Sequence, residues 1–409
     1  MDNTLGSSLS QSAINLVYHG SVFDHLVFKQ ESYSCGVNKS FIMKANSATL
    51  NLNTICPYYT MFPLEFPLKT LKRADENDWV LDPFCGRGTT LFAARLLGLN
   101  SVGIDSNPVA AAISAAKLVD TNAESVIGAA EKILENSSEP EQIPEGEFWE
   151  SCYHHKTLRD ICVFREKLKE GFKTQEGIVL RALILGILHG PLRKGKPTYF
   201  SNQMPRTYAT KPEAAIRYWH KKGLLEPPHV DVLDTIKRRA RYSLEVIPTP
   251  ASGEVYCGDA RFVEQIIVRR NFNWIITSPP YFGMRTYHPD QWLRNWFLGG
   301  EPKVVYSSPG QLSHNKEEFI EGLAAVWKNL ARVCSPGAKL IIRFGSLPSE
   351  PVDAFDILKS SLSQADARWK IKTKKDAGSA NRGKRQSEQF FRSGKDALPE
   401  FDLYARLEG

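Results

Sequence analysis

The sequence predicts an α/β protein: an open, mostly parallel sheet, interrupted by a mainly helical insertion. Three stretches predict it. Val80-Leu-Asp-Pro-Phe-Cys-Gly-Arg-Gly-Thr-Thr90 reads as an apolar strand ending at Asp82, a turn carrying Gly86 and Gly88, and a helix opening at Thr89. Ser101-Val-Gly-Ile-Asp105 reads as a second strand ending in an acid. Trp274-Ile275-Ile276 reads as a third, stopped by Pro279 and Pro280, neither of which can donate to a ladder. Strand, glycine turn, helix, strand and acid is the order of a nucleotide-binding half-sheet.

The glycines let backbone N–H groups approach a ligand at a helix N-terminus, and Asp105 is placed to grip ribose hydroxyls. Ser278 and Tyr281 are held on a stiff loop at a strand's carboxyl end. There the Ser278 hydroxyl and the Pro279 carbonyl can accept hydrogen bonds from an exocyclic amine, while the Tyr281 ring stacks on the flat base carrying it. The alternative is a plain proline-terminated strand with a core tyrosine.

Asp82-Pro-Phe-Cys-Gly-Arg-Gly-Thr-Thr90 and Thr277-Ser-Pro-Pro-Tyr281 resemble the S-adenosylmethionine motif and the catalytic motif of amino-group DNA methyltransferases. Tyr58-Tyr-Thr-Met-Phe-Pro-Leu-Glu-Phe-Pro-Leu-Lys69 is similar to the family's Phe-Pro motif beside the cofactor. The resemblance covers residues 55–120 and 250–350 and implies a class I methyltransferase (Rossmann-like) sheet closed by a C-terminal antiparallel hairpin. It further implies S-adenosyl-L-methionine as cofactor, held by Phe66, Asp82, Phe84, Gly86, Gly88, Thr89, Thr90, Asp105, Asp259 and Ser278. Catalysis would fall to Ser278, Pro279, Pro280 and Tyr281. The implied partners are double-stranded DNA and, acting separately, a cognate restriction endonuclease. Ser-Pro-Pro-Tyr is typical of the family's cytosine-N4 enzymes; adenine-N6 enzymes more often carry Asp or Asn in place of the Ser. RNA guanine-N2 methyltransferases share the fold and a similar Asn-Pro-Pro-Tyr loop, so they are an alternative, as is an inactive nucleic-acid-binding relative. Cytosine-C5 chemistry needs a Cys nucleophile, usually after Pro, and no Pro-Cys dipeptide occurs.

Taken in order, residues 1–50 form an N-terminal extension with strands expected at 14–18 and 22–28, and no chemistry. Residues 51–120 open the catalytic domain. Phe66-Pro67 leads into a helix, and Phe66 either walls the adenosine pocket or caps the core. A second helix starts at Asn107-Pro108, with Pro at its first position. Residues 121–249 break the strand–helix alternation: an exposed linker at 137–142, then helices at 156–170, 178–190, 212–222 and 230–244. Between Arg193 and Arg241 there are twelve Lys/Arg against four Asp/Glu, interleaved with Tyr199, Phe200, Tyr208, Tyr218 and Trp219. That mixture suits phosphate neutralisation with base contact, so the insertion reads as the target-recognition region, with Arg193, Lys194, Lys196, Asn202 and Arg206 on nucleic acid. A helical insert with a solvated basic face is the alternative.

Residues 250–409 complete the catalytic domain. A strand at 254–259 ends in Asp259, which either accepts from the cofactor's adenine amine or sits in a surface turn. Arg285 follows the Ser278–Tyr281 loop and can reach a phosphate. Trp292, Trp296 and Phe297 pack the next helix. A helix at 319–333 and a strand at 338–344 precede the closing hairpin, 368–373 with 401–406.

The formal charge of +7 makes an anionic partner plausible without requiring one. Seven scattered Cys with no CxxC pair argue against a disulfide framework and a zinc site, and fit a reducing cytosol. The polar N-terminus has no signal-peptide pattern, and the longest apolar run, 178–188, contains Arg181 and is too short to span a bilayer. A cytoplasmic protein of bacterial, archaeal or phage origin is expected, with no membrane and no metal.

Overall fold

The computed structural model describes residues 26–30, 50–58, 62–169, 174–191, 196–201, 203–204, 209–248, 250–269, 271–284, 288–306, 310–347, 352–379 and 399–409. One sheet organises them. Strands β1 (Leu26–Gln30), β2 (Trp79–Asp82), β3 (Asn100–Asp105), β4 (Gly253–Cys257), β5 (Phe272–Thr277), β6 (Cys334–Phe344), β7 (Trp369–Ser379) and β8 (Pro399–Leu407) lie in the order β1-β4-β3-β2-β5-β6-β8-β7. From β4 to β6 the neighbours are parallel. β1 runs antiparallel to β4, and β8 antiparallel to both β6 and β7. The chain crosses over at β2, from β3 and β4 on one side to β5 and β6 on the other. That reversal opens a crevice at the strands' carboxyl ends, where open α/β sheets bind ligands. This is the class I methyltransferase sheet with its closing hairpin, plus one extra edge strand. The strand expected at 14–18 lies outside the described residues; of 22–28, the carboxyl part enters β1.

Thirteen α-helices are described: α1 (Glu65–Leu71), α2 (Thr89–Leu96), α3 (Pro108–Ala116), α4 (Ala123–Glu135), α5 (Glu147–Cys152), α6 (His155–Lys169), α7 (Gln175–Ile187), α8 (Pro212–Lys222), α9 (Val232–Ser243), α10 (Val263–Ile266), α11 (Trp292–Phe297), α12 (Lys316–Val333) and α13 (Ala354–Gln364). Alternation along the strands divides them between two faces. Leu81, Ile275, Leu340 and Ile342 pack with α12 and α13. Val80, Trp274, Ile276 and Ile341 pack with α1 and part of α2. Asn107 caps α3, its side chain accepting from Val109 N at 3.0 Å, and Pro108 takes the first helical position as expected.

The helical insertion does not stand apart from the sheet's helices. Val126, Phe164, Ile184, Trp219 and Ile236 share one buried cluster with Phe92, Ile113, Trp292 and Trp296. Helices α4 and α5 were not anticipated; the chain between them is the expected linker. Arg95, fully buried on α2, donates to the carbonyls of Val119 at 2.8 Å and Pro248 at 2.9 Å, so one guanidinium holds both ends of the insertion. Helix α7 passes so close to the chain at Ile55 that a Cβ on Gly186 would overlap the Ile55 carbonyl oxygen, which is backbone and cannot swing away. Gly186→Ala is therefore expected to destabilise the fold by about 1–3 kcal/mol, read as a lower denaturation midpoint at unchanged slope. Among the described residues no helix is long and apolar enough to cross a membrane.

Candidate active site

β2 and β5 are neighbours, and both end in polar side chains that find each other. Asp82 is buried, and its Oδ1 accepts from Thr277 Oγ1 at 2.7 Å and from Phe84 N at 3.2 Å. Thr90, at the start of α2, donates to the Ile276 carbonyl at 3.1 Å. These bonds tie the glycine turn to the strand that carries Ser278. Burial pushes the Asp82 carboxyl up to about 7, against the hydrogen bonds from Thr277 and Phe84 N that favour the ionised form.

The turn itself needs its glycines. Gly86 and Gly88 have φ of +53° and +74°, in the left-handed region. At Gly88 a Cβ would also stand 2.8 Å from Ser114 Oγ and 3.0 Å from Ser114 Cα, on α3. Asp105, at the end of β3, accepts from Gly86 N and Asn107 N, each at 2.9 Å, and burial raises its carboxyl to about 6. Ser114 Oγ donates to the Gly86 carbonyl at 2.9 Å, completing the frame.

A cavity of about 150 Å³ opens where these elements meet. Of the residues expected at the site, Phe84, Gly86, Asp105, Ser278, Pro280 and Tyr281 line it. Phe84 meets Trp327 edge-on at 6.5 Å. The Tyr281 hydroxyl donates to Glu400 Oε1 at 2.8 Å. Asp82, Gly88, Thr89 and Thr90 are not among the lining residues and frame the turn from within the protein; the Thr89 hydroxyl is buried with no partner among the described residues. Pro279 is buried and does not line the cavity either.

Two further expected residues do not line the cavity. Phe66 packs against Phe62 with centroids 5.3 Å apart, under the Arg343 guanidinium 3.9 Å from its ring, in the core below β2 and β5. It caps the core; Tyr58, from the same stretch, lines the cavity instead. The Asp259 carboxylate accepts from Arg261 N at 2.9 Å and pairs with the Arg261 guanidinium at 2.6 Å. It caps the short helical turn after β4, and the neighbouring Ala260 is what lines the cavity.

Sequence reasoning missed Ser106, Asn107, His288 and the segment from Gly310 to His314, all of them lining the cavity. Gly310, at φ +81°, crosses so close to β3's end that a Cβ would stand 2.9 Å from Ser106 Cβ. A glycine ahead of the Asn315 cap of α12 is a local signal of a turn, but not of where the turn lies.

Of the residues expected on nucleic acid, Lys196 is exposed; Arg193, Lys194, Asn202, Arg206 and Arg285 lie outside the described residues. Part of the insertion's basic surplus is answered internally: Lys237 pairs with Glu131 at 2.6 Å, Arg238 with Asp234 at 3.1 Å and Arg241 with Glu124 at 3.0 Å. Phe200 and Trp219 are core residues rather than base contacts, and the Trp219 indole N–H donates to the Gln203 carbonyl at 2.9 Å. Trp292, Trp296 and Phe297 are buried, as expected. Lys211, just before α8, lies 4.9 Å over the ring of Tyr306, which is 64% exposed four residues before Gly310.

A model of a DNA methylase family, named for N6- and N4-methyltransferases, matches residues 22–116, from the edge strand through α3. The chain is 25% identical over 250 residues to the Type II methyltransferase M.BsoBI of Geobacillus stearothermophilus, covering 56% of this chain and 49% of that protein. It thus spans about half the length of the curated relative it matches. Both matches support an amino-group DNA methyltransferase family. Among solved structures, the rRNA methyltransferase aviRa of Streptomyces viridochromogenes is 13% identical, with 91% of this chain and 96% of that one covered at a TM-score of 0.32. A candidate DNA modification methylase of Thermus thermophilus, crystallised with S-adenosyl-L-methionine, is 19% identical over 37% of this chain and 54% of that one at a TM-score of 0.24. The fold rests on strand order, not on these overlaps.

Proposed function

We propose that the protein transfers a methyl group from S-adenosyl-L-methionine to the exocyclic N4 of a cytosine extruded from duplex DNA. The Asp82–Thr277 hydrogen bond carries the reading, because it ties together the strands whose loops, at Gly86 and at Ser278, share one cavity. The residues fit the cofactor: Gly86 faces the cavity with nothing within 4 Å of where its Cβ would stand, and the Asp105 carboxylate lies beside it. Bound S-adenosyl-L-methionine supplies a methyl group already activated on a sulfonium. The chain's own task is then to position an amine in line with it.

A cytosine N4 amine is conjugated and poorly nucleophilic. Hydrogen bonds accepted from it by Ser278 Oγ and the Pro279 carbonyl favour a tetrahedral nitrogen with a free lone pair, and the Tyr281 ring stacks on the base. Asp105 accepts from ribose hydroxyls, and Phe84 walls the nucleoside. Residues 121–249 serve as the target-recognition region, with Arg193, Lys194, Lys196, Asn202 and Arg206 on the DNA together with Arg285. The exposed Lys211–Tyr306 pair adds a cation and a flat ring.

Incubation with labelled S-adenosyl-L-methionine and duplex DNA, followed by nucleoside mass spectrometry, tests the reading. N4-methylcytosine is expected. N6-methyladenine would transfer the same site to adenine, and label on RNA alone would overturn the DNA assignment. Cofactor binding carries its own pH signature. A ribose hydroxyl donates best to an ionised Asp105, whose folded-state value of about 6 lies above the ordinary carboxyl range. Binding is therefore expected to tighten as pH rises from about 5 to about 7.5, with a midpoint near that value, and Asp105→Asn to flatten the curve in calorimetry.

A further inference from the structure

We propose that Glu400 is a positioning residue for methyl transfer, acting through Tyr281; this rests on the reading of Tyr281 as the ring that stacks on the target base. The Tyr281 hydroxyl donates to Glu400 Oε1 at 2.8 Å, across 119 residues of sequence. Two more contacts constrain the ring. Phe344, the last residue of β6, meets it edge-on, with centroids 5.4 Å apart and planes at 80°. At Gly345 a Cβ would stand 3.4 Å from Tyr281 Cε2 and 3.2 Å from Glu400 Cγ, so the backbone there closes the gap between the two side chains.

The ring is thus braced by β6 and β8, which are paired through Phe344 and Phe401, in addition to the loop that carries it. Side chains braced on paired strands hold geometry more closely than side chains braced on loops. The carboxylate adds a second effect. Accepting a phenol proton pushes electron density into the ring, and a nitrogen receiving a methyl group gains positive charge that a ring face attracts. Both effects favour the transition state over the ground state, so Glu400 belongs to kcat rather than to KM.

The test is a double-mutant cycle in the full chain with duplex DNA. Glu400→Ala is expected to lower kcat about tenfold, with the KM for S-adenosyl-L-methionine little changed. Tyr281→Phe removes the hydroxyl, and in that background Glu400→Ala should cost nothing further. Glu400→Gln should recover part of the loss, because its amide oxygen still accepts the phenol proton. Additive losses, or an unaltered kcat in Glu400→Ala, would overturn the proposal while leaving the methyltransferase reading intact. A wild type inactive on DNA would instead sink that reading. The contact is then still decided by carbon-13 tyrosine NMR, with Tyr281 assigned from Tyr281→Phe: its ring resonance should move in Glu400→Ala, and an unmoved one overturns the proposal.

Discussion

Ser278→Ala is expected to reduce kcat on duplex DNA by roughly 10²–10³-fold while S-adenosyl-L-methionine binds nearly as before. Ser278, expected on both cofactor and base, has its Oγ assigned to the amine, where its hydrogen bond matters most as the nitrogen turns tetrahedral, so its loss falls on the chemical step. Among the described residues no hydrogen bond ties its hydroxyl to the rest of the protein, unlike Thr277, which holds Asp82. Truncation should therefore leave the melting temperature in place. Stopped turnover combined with intact cofactor binding by calorimetry is the pattern that supports the assignment. A variant that keeps its kcat would show that Ser278 does not touch the reacting amine.

Asp402→Ala carries the largest expected cost to stability, about 3–5 kcal/mol. Asp402 on β8 accepts from Arg343 Nε at 2.7 Å and Nη2 at 2.9 Å, and both side chains are less than a tenth exposed. Removing the acid strands a guanidinium that also lies over Phe66 in the core. Arg343→Met with Asp402→Leu should recover most of the loss, since it removes the stranded charge instead of abandoning it. Urea denaturation of the single and double variants separates these outcomes; equal losses in both would mean that the pair does not act as a pair.

How much of this was legible beforehand follows from which interactions are local. β2, β3 and β5 are short, largely apolar segments stopped by an acid or a proline, and the glycine turn carries its own conformational demand, so all were readable. Helix α4 has a local pattern too: Val126, Ile127, Ala130 and Ile133 follow helical spacing behind an Asn122 cap. Phe66 and Tyr58 could not be told apart, because two aromatics in one stretch differ only in which wall the fold presents to them. Asp259 pairs with Arg261, a partner two residues away that composition does not rank against a distant ligand. His288 and the segment from Gly310 reach the cavity through chain returns, which no local pattern records.

Arg95 has an implication beyond packing. Because the carbonyls of Val119 and Pro248 both rest on its guanidinium, the long excursion between them leaves and re-enters at a single doorway. The helices between those two carbonyls share one buried cluster with Phe92, Ile113, Trp292 and Trp296, so a change inside the excursion is felt by the helices that cover the sheet.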